Sequence, residues 1–271
     1  MSQMNQLLSA FAQGAENTKL QRLVLALDGN GSRELGGYVQ SILNSNPHLV
    51  EINISSCGLF ANHILTRIGQ GLSHHPSIQT IVLSSCGIDN TELQRLTSIL
   101  GSLPGLHDLD LSGNSLTSAS LPVLAEILQT CPQLQRLDCS AQIDLFREYH
   151  WENELQPLAQ AISASTTLQY LCLHTSCLDD AGAMAILDAV AQCPTLVHLD
   201  LDFNPLTLVT MRHLTKVLPL LTSLRQLELD GLDIDDVTAA FWCPTEKDQF
   251  CAAVQRNAHL QCLSLDNRLF P

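Results

Sequence analysis

One spacing constrains this chain more than any other feature: L-x-x-L-x-L-x-x-N-x-L, complete in the stretch LHDLDLSGNSL from Leu106 to Leu116 and returning along the sequence. Sliding that frame places its first apolar anchor at Leu20, Leu49, Ile78, Leu106, Leu134, Leu168, Leu196, Leu224 and Leu260, with steps of 29, 29, 28, 28, 34, 28, 28 and 36 residues. The central L-x-L alternates as a strand with one buried face does. A short strand recurring at such a period cannot bury its apolar face alone, so each unit has to stack on the next and share a continuous core.

Between strands, the spacing changes to that of a helix. In SASLPVLAEILQTCP, Leu121, Leu124, Ile127 and Leu128 fall on one face. Pro47, Pro76, Pro104, Pro132 and Pro194 each stand two residues before an anchor, where they end a helix and hand over to the next strand. With units of 28 and 29 residues that contain a full helix, the chain resembles the ribonuclease-inhibitor-like class of leucine-rich repeat proteins, a class also used in innate-immune receptors and in some bacterial effectors. The resemblance implies an α/β leucine-rich repeat solenoid, a horseshoe with nine parallel strands on the concave face and helices on the convex face. The expected organisation is a capping helix over 1–19, then nine repeats over 20–271, with longer loops in repeats five (139–157) and eight (230–250).

The net charge is -14, from 27 acidic and 13 basic residues, which argues against a nucleic-acid partner and for an electropositive one. The N-terminal segment lacks the charged and apolar regions of a signal peptide, and no apolar run is long enough to span a bilayer, so no membrane partner is expected. Of the ten cysteines, Cys57 and Cys86 take the Asn position of the repeat, and Cys131 and Cys193 precede prolines. That placement suits small buried thiols, kept reduced in a cytoplasmic protein or in a host cytoplasm if the protein is an effector.

The two long repeats carry six of the 12 aromatic residues: Phe146, Tyr149, Trp151, Phe241, Trp242 and Phe250. Both insertions fall after a strand and before a helix, on the same rim. Exposed aromatic loops of this kind suit binding hot spots, and Trp151 and Trp242 are the expected anchors. The other reading is that these rings fold inward and pack the longer loops.

The residues flanking the L-x-L leucines face outward from the sheet. Those 27 positions hold nine acids and two arginines, and the acids gather from the fourth repeat onward. Asp108, Asp110 and Asp138 lie in repeats four and five, Asp200, Asp202, Glu228 and Asp230 in repeats seven and eight, and Asp266 in the ninth. Like charges opposite one another destabilise a sheet, so the array is expected to meet a cationic surface. A screened, solvated polar face is the plainer account. Between the acids stand Tyr170, His174 and His198, expected to be partner contacts.

Cys172, flanked by histidines and aspartates, is an acceptable nucleophile or zinc ligand by residue type, but C-x-H is no recognised metal motif and an open sheet offers no oxyanion hole. Neither a phosphate-cradling glycine loop nor a nucleophile elbow occurs. The expectation is therefore a non-enzymatic binding protein, a monomer when unbound, with no cofactor and no metal. It would engage an electropositive protein through its concave face, and the resemblance to the ribonuclease-inhibitor-like class implies that it would act as an inhibitor, occluding that protein's active site. The alternative is an adaptor or effector that works through rim loops, the convex side or the C-terminal edge.

Overall fold

A computed structural model describes residues 20–25, 34–56, 62–142, 144–146, 152–234 and 241–265 of the chain. Nine short strands form one sheet: β1 Arg22–Val24, β2 Glu51–Asn53, β3 Thr80–Val82, β4 Asp108–Asp110, β5 Arg136–Asp138, β6 Tyr170–Cys172, β7 His198–Asp200, β8 Gln226–Leu229 and β9 Cys262–Leu265. They lie in sequence order, and every neighbouring pair is parallel. Between successive strands run α1 Leu35–Ser45, α2 Asn62–Leu72, α3 Asn90–Leu100, α4 Leu121–Thr130, α5 Glu152–Ala164, α6 Asp180–Val190, α7 Leu208–Val217 and α8 Pro244–Arg256. The architecture is the α/β solenoid that the repeat spacing predicts. The capping helix expected over 1–19 lies outside the described residues.

The L-x-L leucines pack between sheet and helices. Leu109 and Leu111, Leu137, Leu171 and Leu173, Leu199 and Leu201, and Leu227 and Leu229 are all buried. Parallel strands lie ~4.8 Å apart, whereas packed helices need ~8–10 Å between axes. Both layers advance one element per repeat, so the helical layer has to be longer and the sheet takes the inside of the curve.

The turn after each strand is where this stacking becomes specific. Ser56, Ser85, Gly113, Ala141, Thr175, Phe203 and Gly231 all adopt positive φ, between 51° and 68°. Each stands just before the Asn position of its repeat. The N–H groups of Ser85, Gly113, Ala141, Thr175 and Phe203 donate to a carbonyl of the following repeat, at 2.7–2.9 Å. Behind that residue the Asn side chain turns inward. Asn204 Oδ1 accepts from the N–H groups of Ser176 and Leu178, both at 3.0 Å, while its Nδ2 donates to the carbonyls of Leu173 and Leu201, both at 2.9 Å. Asn114 makes the same four bonds three repeats earlier, to Cys86, Ile88, Leu83 and Leu111. Gln142 supplies two of them, accepting from Leu116 N–H and donating to the Leu111 carbonyl. At shorter side chains, Cys86 donates its S–H to the Ile54 carbonyl and Ser176 its hydroxyl to that of Cys139. Leu232, buried at the same position, makes no such bonds by its chemistry.

Helix starts are shared between repeats as well. The Asp180 carboxylate accepts from the backbone N–H groups of Thr207 and Thr210, capping α7 from the preceding repeat. Asn90 Oδ1 accepts from the backbone N–H of Thr117 and from the hydroxyl of Ser120 ahead of α4.

Asn204→Ala is expected to strand two buried N–H groups and two buried carbonyls. At ~1–3 kcal/mol for each buried group left unpaired, urea unfolding should show a loss of roughly 4 kcal/mol or more. A loss below about 1 kcal/mol would mean that water replaces the amide.

Candidate protein-binding face

The register of the sheet fixes two rows of outward-facing residues. One runs Asp108, Arg136, Tyr170, His198, Gln226 and the next runs Asp110, Asp138, Cys172, Asp200, Glu228. A chain of contacts crosses the first row. The Arg136 guanidinium carbon sits 3.8 Å from the centre of the Tyr170 ring, and Tyr170 and His198 meet with ring centres 4.5 Å apart. Arg136 also reaches two acids, Asp138 Oδ2 at 3.0 Å and Asp108 Oδ1 at 3.4 Å. On the far side, His198 Nε2 lies 3.3 Å from Glu228 Oε1. Arg136 therefore balances part of the acidic array, and sequence reasoning left it out of the site.

The second row differs from the expectation of free carboxylates. Asp138 and Asp200 are buried at 8% exposure, hidden by their neighbours and occupied with their own turns. Asp138 Oδ1 accepts from the N–H and hydroxyl of Ser140, and Asp200 Oδ1 accepts from the N–H of Asp202. Asp110 Oδ1 accepts from Ser112 N–H, and Asn53 Oδ1 does the same for Ser55. This side chain to N–H bond two residues on is an Asx turn, and it is a repeated structural device here. Asp138 and Asp200 present little carboxylate surface to a partner; Asp108, Asp110, Asp202, Glu228 and Asp230 remain part-exposed.

Carboxylates crowd where β7 and β8 end. Oxygens of Asp200, Asp202 and Glu228 lie within 4.8 Å of one another. Burial, reinforced by Asp200, Asp230 and Glu228, raises the Asp202 carboxyl to about 6, against the opposing bond that its Oδ1 accepts from Asp230 N–H. Asp108 is also raised, by burial first, with Arg136 pulling the other way. The Tyr170 hydroxyl and the Cys172 thiol are both pushed well up, burial being the main cause, so neither ionises near neutrality. Cys172 donates its S–H to Asp200 Oδ2 at 3.2 Å, and His174 Nδ1 lies 3.0 Å from the Thr175 hydroxyl. A thiol raised in this way, its S–H held by a buried carboxylate, is the opposite of an activated nucleophile.

Trp242 was the expected anchor of the second rim loop, and the structure overturns that. It is 2% exposed and packs edge to face on buried Phe250, with ring centres 5.5 Å apart. Helix α8 begins at Pro244, within the predicted loop, and its Phe250 packs against Trp242. Its neighbour Phe241 points outward at 68% exposure, as does Phe203 at 64%, which sequence reasoning missed. Phe146 of the first long repeat is buried too. Trp151 and Asp266 lie outside the described residues.

A leucine-rich repeat family model matches residues 192–209. Solved structures with a similar course include actin-binding site 2 of leiomodin-1, at 15% identity over 71% of this chain and 90% of that one, with a TM-score of 0.44. The tropomodulin C-terminal domain of Caenorhabditis elegans matches at 14% identity over 70% of this chain and 93% of that one, with a TM-score of 0.39. The plant peptide hormone receptor RGFR1, solved in complex with RGF2, matches 93% of this chain with 33% of its own length, at 16% identity and a TM-score of 0.45. No curated protein matches. Among the described residues no helix is long and apolar enough to cross a membrane, and nine cysteines are free thiols.

Two measurements follow from this face. Trp242→Ala should cost ~3–5 kcal/mol, as large aromatic truncations in a core do, whereas Phe241→Ala should leave the urea midpoint nearly unchanged; the reverse order would put Trp242 outside. Asp202 holds its proton more tightly folded than unfolded, since its folded value of about 6 lies above the ordinary 3.8. Its contribution to stability is therefore present at low pH and lost as pH rises through about 6. Asp202→Asn, which keeps an oxygen for Asp230 N–H, should raise the melting temperature at pH 7.5 by more than at pH 4, and an equal effect at both would remove the coupling. These residues stand on the sheet of an α/β solenoid with the leucine-rich repeat architecture, and within it residues 192–209 match the family's repeat.

Proposed function

We propose that this protein binds another protein, one with an electropositive surface, across the outer sheet face from β4 to β8. The observation that carries the reading is the distribution of charge. Asp108, Asp110, Asp202, Glu228 and Asp230 stand part-exposed around the Arg136, Tyr170 and His198 stack, while the face of β1 to β3 has one acid, Glu51, paired with Arg22 at 2.6 Å. A cationic partner would relieve the crowding at Asp202 and be steered to it from solution. The stacked Tyr170 and His198 supply a rigid aromatic centre of the kind that anchors interfaces. The residues present no activated nucleophile, so binding rather than catalysis is the role they fit, and occlusion of the partner's own active site is one consequence that such a broad contact would have.

A second reading has its own support. Phe203 and Phe241 are exposed on the rim where strands hand over to helices, and an adaptor or effector would use them as apolar anchors away from the acids. The two are separated by capture from lysate at low and moderate salt with Asp110→Asn plus Asp202→Asn beside Phe203→Gly plus Phe241→Ala. Asparagine keeps both turn bonds, and glycine suits the positive φ at Phe203. The sheet-face reading expects a basic protein whose association slows by roughly ten-fold in the aspartate variant at low salt. Retention unchanged there but lost in the phenylalanine variant would move the site to the rim.

A further inference from the structure

Cys172 closes β6, His174 follows two residues later, and Asp200 stands in register with Cys172 on β7. Residues two apart along a strand share a face, and adjacent strands lie ~4.8 Å apart. The three side chains consequently converge: the Cys172 sulfur, an imidazole nitrogen of His174 and a carboxylate oxygen of Asp200 all lie within 4.8 Å of one another. In the sequence the set is joined only through the repeat period, because its third member comes from the next repeat, 28 residues on.

We infer that Cys172, His174 and Asp200 form a zinc site on the sheet face, with the fourth tetrahedral position open to water or to an incoming ligand. The donor set carries the choice of metal. One thiolate, one imidazole and one carboxylate suit zinc, whereas calcium and magnesium take oxygen ligands. The supporting contacts that metal ligands need are already in place. Thr175 Oγ1 stands 3.0 Å from His174 Nδ1, and Asp200 Oδ1 is fixed by Asp202 N–H at 3.0 Å, which leaves Oδ2 turned to the sulfur. Asp138, in register on the other side of Cys172, adds a further negative charge. The thiol is held protonated first by burial and then by the neighbouring carboxylates, and a divalent cation would offset the repulsion among these groups. Binding replaces the S–H bond by a sulfur-to-zinc bond and releases that proton to solvent, so affinity rises with pH. The inference concerns the isolated chain and does not depend on which protein the face binds.

Cobalt(II) is the probe, added to the metal-free protein in a reductant that does not itself bind metal. The wild type should develop a thiolate-to-cobalt charge-transfer band in the near ultraviolet, saturating at one equivalent and erased by zinc. Cys172→Ser should abolish the band. His174→Ala should weaken binding by at least ~10-fold, and Asp200→Asn, which retains an oxygen for the Asp202 turn, should weaken it as well. Melting curves in chelator check that each variant folds; if Cys172→Ser does not, His174→Ala, changed at a part-exposed side chain, decides. No band in the wild type overturns the site. An undiminished band in Cys172→Ser or unchanged affinity in His174→Ala does too, since the ion then sits on other cysteines.

Discussion

The buried side chain behind the turn, an amide at Asn114, Gln142 and Asn204, is the interaction on which the rest of this molecule depends. A stack of strands and helices held by leucines alone would slide, because apolar burial is not directional. Asn114 and Asn204 each grip two N–H groups and a carbonyl of the preceding repeat and one carbonyl of their own. Being buried, these bonds are costly to break, and they set the offset between repeats. The positive φ just ahead of them turns the chain sharply enough for the amide to reach inward while the backbone ladder continues outside.

The same economy of turns explains how so acidic a sheet face stays folded. Asp110, Asp138 and Asp200 are tied to N–H groups two residues on, and Arg136 lies against Asp138, near Asp108 and on the Tyr170 ring. Each carboxylate so engaged has part of its charge answered locally. What is left over collects at the ends of β7 and β8, and there Asp202 is raised.

The fold was legible because its cause is periodic. Alternating leucines, a helical stretch and a proline before the next anchor each follow from local geometry, and their recurrence fixes the parallel sheet in sequence order. The outward rows were legible for the same reason, since strand alternation assigns them. What alternation does not encode is how far a side chain outside the core is covered. Asp138 and Asp200 read as surface charges, although a D-x-S or D-x-D run at the strand end was a signal for the turn bonds that bury them. Trp242 beside Phe241 poses a similar problem: the helix start at Pro244 is readable, but which of two adjacent aromatics turns inward to meet Phe250 is not. The convergence of Cys172 with Asp200 needed the register between repeats, which no single stretch contains.

The strand spacing also acts as a ruler. From Asp108 on β4 to Glu228 on β8 is four strand steps, or ~19 Å at ~4.8 Å per step, the length of a helix of ~13 residues. No small molecule touches both ends of such a span at once. Whatever engages the whole face has to be of macromolecular extent and shaped to the inside of the curve, so the repeat count, as much as any side chain, sets the size of what can be held.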